Sequence, residues 1–170
     1  LLNSEGKMIG INTAIFSPNG ASAGIGFTIP VDTVKRIAND LIQHGRVLRP
    51  YIGIRSSLNV SPRVAQVLRL PIDKGVLIET IKRSSPAAHA GLRPGNQLIR
   101  VGNRQFLVGG DIIVAVDGQT VTDALHLMND IEAKSIGDTI MVKLVRNGKI
   151  ITLPVVLEEK PSFTDQVRIE

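Results

Sequence analysis

Three histidines are the side chains of this sequence best suited to proton transfer, and they could serve a serine nucleophile. They are His44, His89 and His126. Triad catalysis needs a serine, a histidine and an aspartate that converge, with backbone N–H donors for the oxyanion. None of the three histidines lies in such a motif, and neither G-x-S-x-G nor G-N-S-G-G occurs. We therefore predict no catalytic residue in this chain and surface positions for the histidines.

Metal and thiol chemistry are not indicated either. The His, Asp and Glu residues show no ligand spacing, so neither a metal nor a cofactor is predicted. Cysteine is absent, which excludes disulfides.

The charge of the chain is unevenly distributed. It is +5 overall, but +7 over residues 51–104 and −4 over residues 105–170. The basic segment would attract an anionic partner or form a solvated face, and its dispersed Lys and Arg residues favour the solvated face. Nucleic-acid binding is not predicted because aromatic residues make up only 3% of the chain. No apolar run of about 18 residues occurs, so no membrane span is predicted.

The first 50 residues predict a β-hairpin and a helix. Apolar positions over residues 7–16 indicate a strand, residues 17–20 (Ser-Pro-Asn-Gly) a turn, and residues 24–29 a second strand. Residues 31–44 have apolar positions at helical spacing, and residues 46–50 read as a linker. Because one hairpin is only marginally stable in water, we expect residues 7–29 to be disordered, exchanged between chains or packed on a neighbour.

The remaining chain predicts a small, partly open barrel. Five strands are expected over residues 52–58, 75–82, 111–116, 139–145 and 150–158. Helices are expected over residues 85–90 and 123–134, with a further short helix within residues 61–70.

Several motifs of the chain occur in the order found in one protein family. The stretches SSPAAHAGL (84–92), GLRPG (91–95), GGDIIVAVDGQTV (109–121) and RNGK (146–149) resemble the PDZ domains of HtrA/DegP (Deg) serine proteases. Upstream, LLNSEGKMIGINTAIF and GIGFTIP resemble the last strands of the trypsin-like protease domain of that family.

This resemblance implies a fold class and a domain organisation. The fold is α+β and mostly β: a PDZ-type partly open barrel with two helices, preceded by a hairpin and helix from the end of a trypsin-like double β-barrel. The implied parts are protease strands (1–30), a helix and linker (31–50), the PDZ domain (51–160) and a tail (161–170). Residues 96–108 interrupt the PDZ pattern as an insertion to which we assign no strand or helix. Asn96 stands where the family usually has Asp, and Asp111 takes that role.

The resemblance also places a peptide-binding groove. A PDZ domain adds an extended peptide to a sheet edge. Residues 51–54 (Tyr-Ile-Gly-Ile) resemble the loop that binds the peptide's C-terminal carboxylate, where a glycine lets the backbone curl and direct several N–H groups at one point. The strand that follows would pair with the peptide.

The opposite wall of the groove should be the helix over residues 123–134. Ala124, Leu127, Met128 and Ile131 share one face of it. Apolar residues at this spacing are most often core, but the family pattern implies that Leu127 and Ile131 lean toward the core while Met128 and Ala124 face the groove. Arg49 and Arg55 would favour an anionic terminus from outside the loop. The predicted peptide-binding residues are Arg49, Tyr51, Ile52, Gly53, Ile54, Arg55, Ala124, Met128 and Ile131.

One further set comes from the protease part. By resemblance, Gly24, Ile25, Gly26 and Phe27 border the substrate-specificity pocket of a complete enzyme. Taken alone, they are ordinary strand residues.

The function implied is a regulatory peptide-binding module of an HtrA-type serine endopeptidase in protein quality control. It would recognise C-termini or extended segments of unfolded proteins, while the chain itself is inactive. The alternative is a free-standing PDZ scaffold, against which the match of residues 1–30 argues. The family implies a protease domain of the same parent as partner, a homo-oligomer built on trimers, and the cell envelope, the periplasm or another extracytoplasmic compartment. Since the chain begins at Leu1, we expect it to be part of a longer polypeptide.

Overall fold

The computed structural model of the 170-residue chain describes residues 1–16 and 25–161. It divides the chain into two compact units, Leu1–Leu48 and Arg49–Glu170.

The first unit is an antiparallel hairpin followed by a helix. Strand β1 (Gly10–Phe16) pairs with β2 (Ile25–Pro30), and α1 (Val31–His44) follows directly. Gly45 ends the helix with a left-handed φ of 68°, a conformation that glycine adopts without a Cβ clash. The turn predicted over residues 17–20 lies outside the described residues.

Apolar side chains of this hairpin are solvent-exposed, as a two-stranded ribbon cannot cover its own faces. They include Ile11, Ile15, Phe16, Ile25 and Phe27. The expectation that residues 7–29 are disordered, exchanged or packed on a neighbour stays a prediction.

The second unit combines ten strands and three helices within its described part. They are β3 (Pro50–Tyr51), β4 (Ile54–Val60), α2 (Pro62–Leu68), β5 (Gly75–Ile81), α3 (Pro86–His89), β6 (Gln97–Val101), β7 (Arg104–Val108), β8 (Ile112–Val116), β9 (Gln119–Thr120), α4 (Ala124–Glu132), β10 (Thr139–Arg146), β11 (Lys149–Val156) and β12 (Glu158–Glu159). The main sheet has the order β11-β10-β8-β5-β4, with β9 paired to β8. β6 pairs with β7, and β3 with β12, as separate ribbons. The five predicted strands correspond to β4, β5, β8, β10 and β11.

The insertion at residues 96–108 forms the β6–β7 hairpin, to which the sequence analysis assigned no element. Val101 pairs with Arg104 across a Gly102-Asn103 turn, and Gly102 has a φ of 61°. A Gly-Asn pair between alternating apolar residues was the available signal.

Hydrophobic side chains lie on both faces of the main sheet. Val76 and Ile78 belong to one cluster and Leu77 to another, because successive strand residues point to opposite faces. The first cluster includes residues of α3 and α4. The second includes α2 and the inner face of the β6–β7 hairpin.

The two edges of the main sheet differ. β11 carries Pro154, which has no N–H to offer a further strand and is typical of a protected edge. β4 forms the other edge and pairs only with β5 among the described strands. The β4 edge is thus open to strand addition.

Candidate functional site

A groove lies between β4 and α4. Its cavity measures about 230 Å³, below the roughly 300–1,000 Å³ typical of pockets for drug-sized ligands. The groove is lined by Pro50, Tyr51, Ile52, Gly53, Ile54, Arg55, Ser57, Ala124, Leu127, Met128, Ile131, Glu132 and Lys160. This volume suits a side chain better than a cofactor.

The loop at the start of β4 directs its amides away from the protein body. The Ile52 carbonyl accepts from Ala87 N at 2.8 Å, and the Gly53 carbonyl accepts from Lys82 N at 2.9 Å. In a trans peptide unit the C=O and the next N–H point in opposite directions. The N–H groups of Gly53 and Ile54 therefore point away from α3 and β5.

These amides are available to a ligand. Within the described residues, neither Ile52 nor Gly53 donates its N–H to a backbone oxygen. The bond from Lys82 makes Ile54 and Ile81 a non-hydrogen-bonded pair, so Ile54 N–H faces the open edge. The loop thus presents adjacent donors to an anionic group.

Glycine is required at position 53 for two reasons. Its φ is 88°, and a Cβ there would overlap the Ser85 side chain. Ser85 is fully buried, its Oγ donates to Lys82 O at 2.7 Å, and it caps α3 by accepting from Ala88 N at 3.4 Å. The loop is therefore packed against a rigid support.

The helix wall is fixed at its N-terminal end. Asp123 caps α4 by accepting from His126 N at 2.9 Å, which satisfies one of the orphan donors of the first turn. Ala124 N donates to Asn59 Oδ1 at 2.8 Å. This bond ties the start of α4 to the end of β4 and sets the spacing of the groove there.

The groove face of α4 combines buried and exposed side chains. Leu127 and Ile131 are each 5% exposed and belong to the core, while also lining the cavity. Met128 is 55% exposed and Ala124 is half-buried. The structure thus brings three predicted helix residues, Ala124, Met128 and Ile131, to one groove with the loop.

Of the two predicted arginines, Arg55 lines the groove and Arg49 does not. Lys160 was not among the predicted residues, but it lines the groove and donates its backbone N–H to Arg49 O at 2.8 Å. β12 returns beside β3 and brings Lys160 there. This is a long-range pairing that no local pattern signals.

Three of the four residues predicted to border a protease specificity pocket lie on β2. Ile25, Gly26 and Phe27 are exposed residues of β2, and Gly24 lies outside the described residues.

The structure describes no group of three or more potential metal ligands within residues 1–16 and 25–161. No helix in the same ranges is long and apolar enough to span a bilayer.

A salt bridge holds the end of the groove helix. Asp117 Oδ2 accepts from Lys134 Nζ at 2.6 Å, and Asp117 Oδ1 accepts from Met141 N at 2.8 Å. The hydrogen bond from Lys134, followed by that from Met141, lowers the pKa of Asp117 below its ordinary 3.8. A carboxylate with a lowered pKa stabilises the folded state while it is ionised.

We expect Asp117→Asn to lower the free energy of unfolding at pH 7. The difference from wild type should persist down to about pH 3.8 and vanish as the pH falls through the lower folded-state pKa, because the wild-type carboxyl is then neutral as well. Urea unfolding between pH 2 and 7 measures this, with Asp73→Asn at an exposed position as control. A difference that grows toward low pH would contradict the prediction.

Comparison with known proteins assigns a large part of the chain to a family. A model described as "PDZ domain" matches residues 50–157. Protease Do-like 1, chloroplastic, of Arabidopsis thaliana is 40% identical over 161 residues, which make up 95% of this chain and 34% of that protein. The periplasmic pH-dependent serine endoprotease DegQ of Escherichia coli is 32% identical over 95% of this chain and 32% of its own length. The chain thus spans about a third of the curated relatives it matches.

Solved structures of HtrA-type proteases are similar to this chain. The HtrA-type protease AlgW with decapeptide superposes with a TM-score of 0.69 at 32% identity, covering 92% of this chain and 43% of that one. The HtrA3 PDZ domain bound to a phage-derived ligand, FGRWV, has a TM-score of 0.50 at 19% identity, covering 66% and 88% of the two chains, and supports the fold alone. The predicted mostly β, partly open fold and the resemblance to HtrA/DegP proteases are confirmed. On the match over residues 50–157, the chain belongs to the PDZ domain family.

Proposed function

We propose that this chain is a peptide-binding module that adds the C-terminus of an unfolded protein, or an extended segment of it, as a further strand on β4. The observation that carries the proposal is the pair of outward N–H groups of Gly53 and Ile54 at the start of an open sheet edge. A peptide carboxylate would accept hydrogen bonds from them, and the backbone preceding it would pair with β4.

The cavity beside the loop supplies the apolar part of recognition. Ile52, Ile54, Met128 and Ile131 surround the space that the last peptide side chain would enter. Burial of one aliphatic or aromatic side chain stabilises a complex by roughly 1.5–3 kcal/mol. Because the peptide loses conformational entropy on binding, we expect micromolar affinity.

We infer that the module acts together with a serine endopeptidase domain of the same parent protein in protein quality control. The support is similarity to DegP- and DegQ-type endoproteases, which extends over residues on both sides of residue 50 and disfavours a free-standing scaffold. Two of these relatives are named periplasmic and one chloroplastic, so we place the parent in an extracytoplasmic compartment or organelle. We further propose that the parent is a homo-oligomer, for which the exposed apolar side chains of the hairpin would provide a contact surface. These 170 residues alone should cleave no substrate, because no catalytic serine–histidine motif is present in the sequence.

The test is binding of C-terminal peptides with free and amidated ends, read by fluorescence anisotropy. We expect amidation to weaken binding by about tenfold or more, since a hydrogen bond to a charged group contributes roughly 1.5–3 kcal/mol. Peptides ending in Val, Phe and Asp compare the side-chain pocket at constant carboxylate. Equal affinities for free and amidated peptides would overturn carboxylate recognition.

A further inference from the structure

The register of β4 on β5 is irregular at the residue that follows the carboxylate loop. Ile54 pairs with Ile81 and Ser57 with Ile78, but Ser56, between them, pairs with Thr80, one place out of that register. Arg55 therefore has no paired residue on β5, and the regular pairing resumes at Ser57. Such irregularities often lie beside functional sites. Ile54 and Arg55 both line the groove.

The Arg55 side chain is exposed and has no ion-pair partner among residues 1–16 and 25–161. Glu132 also lines the groove, but it already interacts within the folded chain. A permanently charged guanidinium at the rim therefore has bidentate capacity for a carboxylate that the described part of the chain does not supply.

The register of an added strand determines which peptide residue meets this guanidinium. With the terminal carboxylate at Gly53 and Ile54 N–H, the last residue lies beside Ile54. An antiparallel peptide then brings its penultimate residue opposite Arg55. Side chains alternate, so a last side chain in the cavity leaves the penultimate side chain at the rim.

We propose that the groove selects peptides with an acidic penultimate residue, Asp or Glu, through an ion pair with Arg55. The inference rests on the proposed function and names the class of peptide that the same groove prefers. Lys160 also lines the groove and is held by its backbone bond to Arg49 O, and it contributes a general attraction for anionic peptides.

Three free-carboxylate peptides, identical except for Glu, Gln or Lys at the penultimate position, test this by fluorescence anisotropy on the 170-residue chain. The wild type should bind the Glu peptide about fivefold more tightly than the Lys peptide, with Gln between, as expected for a partly exposed ion pair. Arg55→Glu should reverse that order. Lys160→Glu, the matched control, should weaken all three peptides and keep their ranking. Raising the salt concentration should reduce the preference.

The outcomes separate the two levels of the proposal. If amidation weakens binding but wild type ranks the three peptides equally, or Arg55→Glu keeps the Glu peptide first, the acidic preference is overturned and the groove is retained. If Lys160→Glu reverses the ranking instead, the ion pair belongs to Lys160 and the role of Arg55 is wrong. If none of the peptides binds better than its amidated form, both inferences fail. Thermal melts of each variant show whether it is folded.

Discussion

Replacing Gly53 by alanine should weaken peptide binding by more than about tenfold. A left-handed backbone costs a residue with a Cβ roughly 1–2 kcal/mol, and at this position the Cβ also overlaps the buried Ser85. Relief of the overlap must rotate or shift the loop. Either movement misdirects the N–H groups of Gly53 and Ile54, so affinity should fall more than stability does.

Gly118→Ala is the matched control for this variant. Gly118 has a φ of 82°, close to that of Gly53, but a Cβ there meets nothing within 4 Å. It should lose comparable stability and keep its peptide affinity. The double variant Gly53→Ala, Ser85→Gly should recover part of the binding, because it removes the overlapping side chain and glycine is tolerated as an N-cap. A Gly53→Ala variant with unchanged affinity would show that the loop does not bind the peptide end.

The role proposed for residues 51–54 came from the resemblance to PDZ motifs, because a glycine between apolar residues before a strand indicates by itself only a tight strand start. The support that Ser85 gives to this loop was not predicted. Ser85 lies 32 positions away and meets Gly53 only after α3 folds back on the loop. The same limit explains why Lys160 and the irregular register at Arg55 were not predicted, since both depend on strand pairings between distant segments.

Replacing Arg146 by leucine should lower the free energy of unfolding by about 3–5 kcal/mol. Its guanidinium forms a bidentate ion pair with Asp111: Nε donates to Oδ1 and Nη2 to Oδ2, each at 2.7 Å. Nη2 also donates to Gly91 O at 2.8 Å. Asp111 is 1% exposed and further accepts from Arg93 N at 2.8 Å. The hydrogen bond to Asp111 raises the pKa of Arg146, which stays charged at any ordinary pH. Without it, a buried carboxylate would lose its counterion.

Chemical denaturation measures this loss, and two further variants give it a physical cause. Arg93→Leu removes an exposed side chain nearby and should change stability by less than about 0.5 kcal/mol. Arg146→Leu combined with Asp111→Asn should be more stable than Arg146→Leu alone, because the buried charge is gone. A loss below about 1 kcal/mol for Arg146→Leu would mean that Asp111 finds water or another donor.

For Asp111, the sequence indicated a structural role but not its partner. Its family role was assigned from order along the chain, after an insertion had separated it from Gly95. Its ion pair with Arg146 joins the residue before β8 to the last residue of β10, and the local sequence of neither strand indicates it. By contrast, the five strands of the main sheet and the helices could be predicted from apolar periodicity and helix caps. The β10–β11 hairpin could be predicted from Asn147-Gly148, where both residues have positive φ.

The two anchored carbonyls of Ile52 and Gly53 have a thermodynamic consequence. Their bonds to Ala87 and Lys82 hold the N–H groups of Gly53 and Ile54 in place in the unbound protein. On binding of the proposed peptide, most of the conformational entropy would therefore be lost by the peptide. Peptides constrained in an extended conformation should therefore bind more tightly, mainly through slower dissociation, with little change in the conformation of the protein.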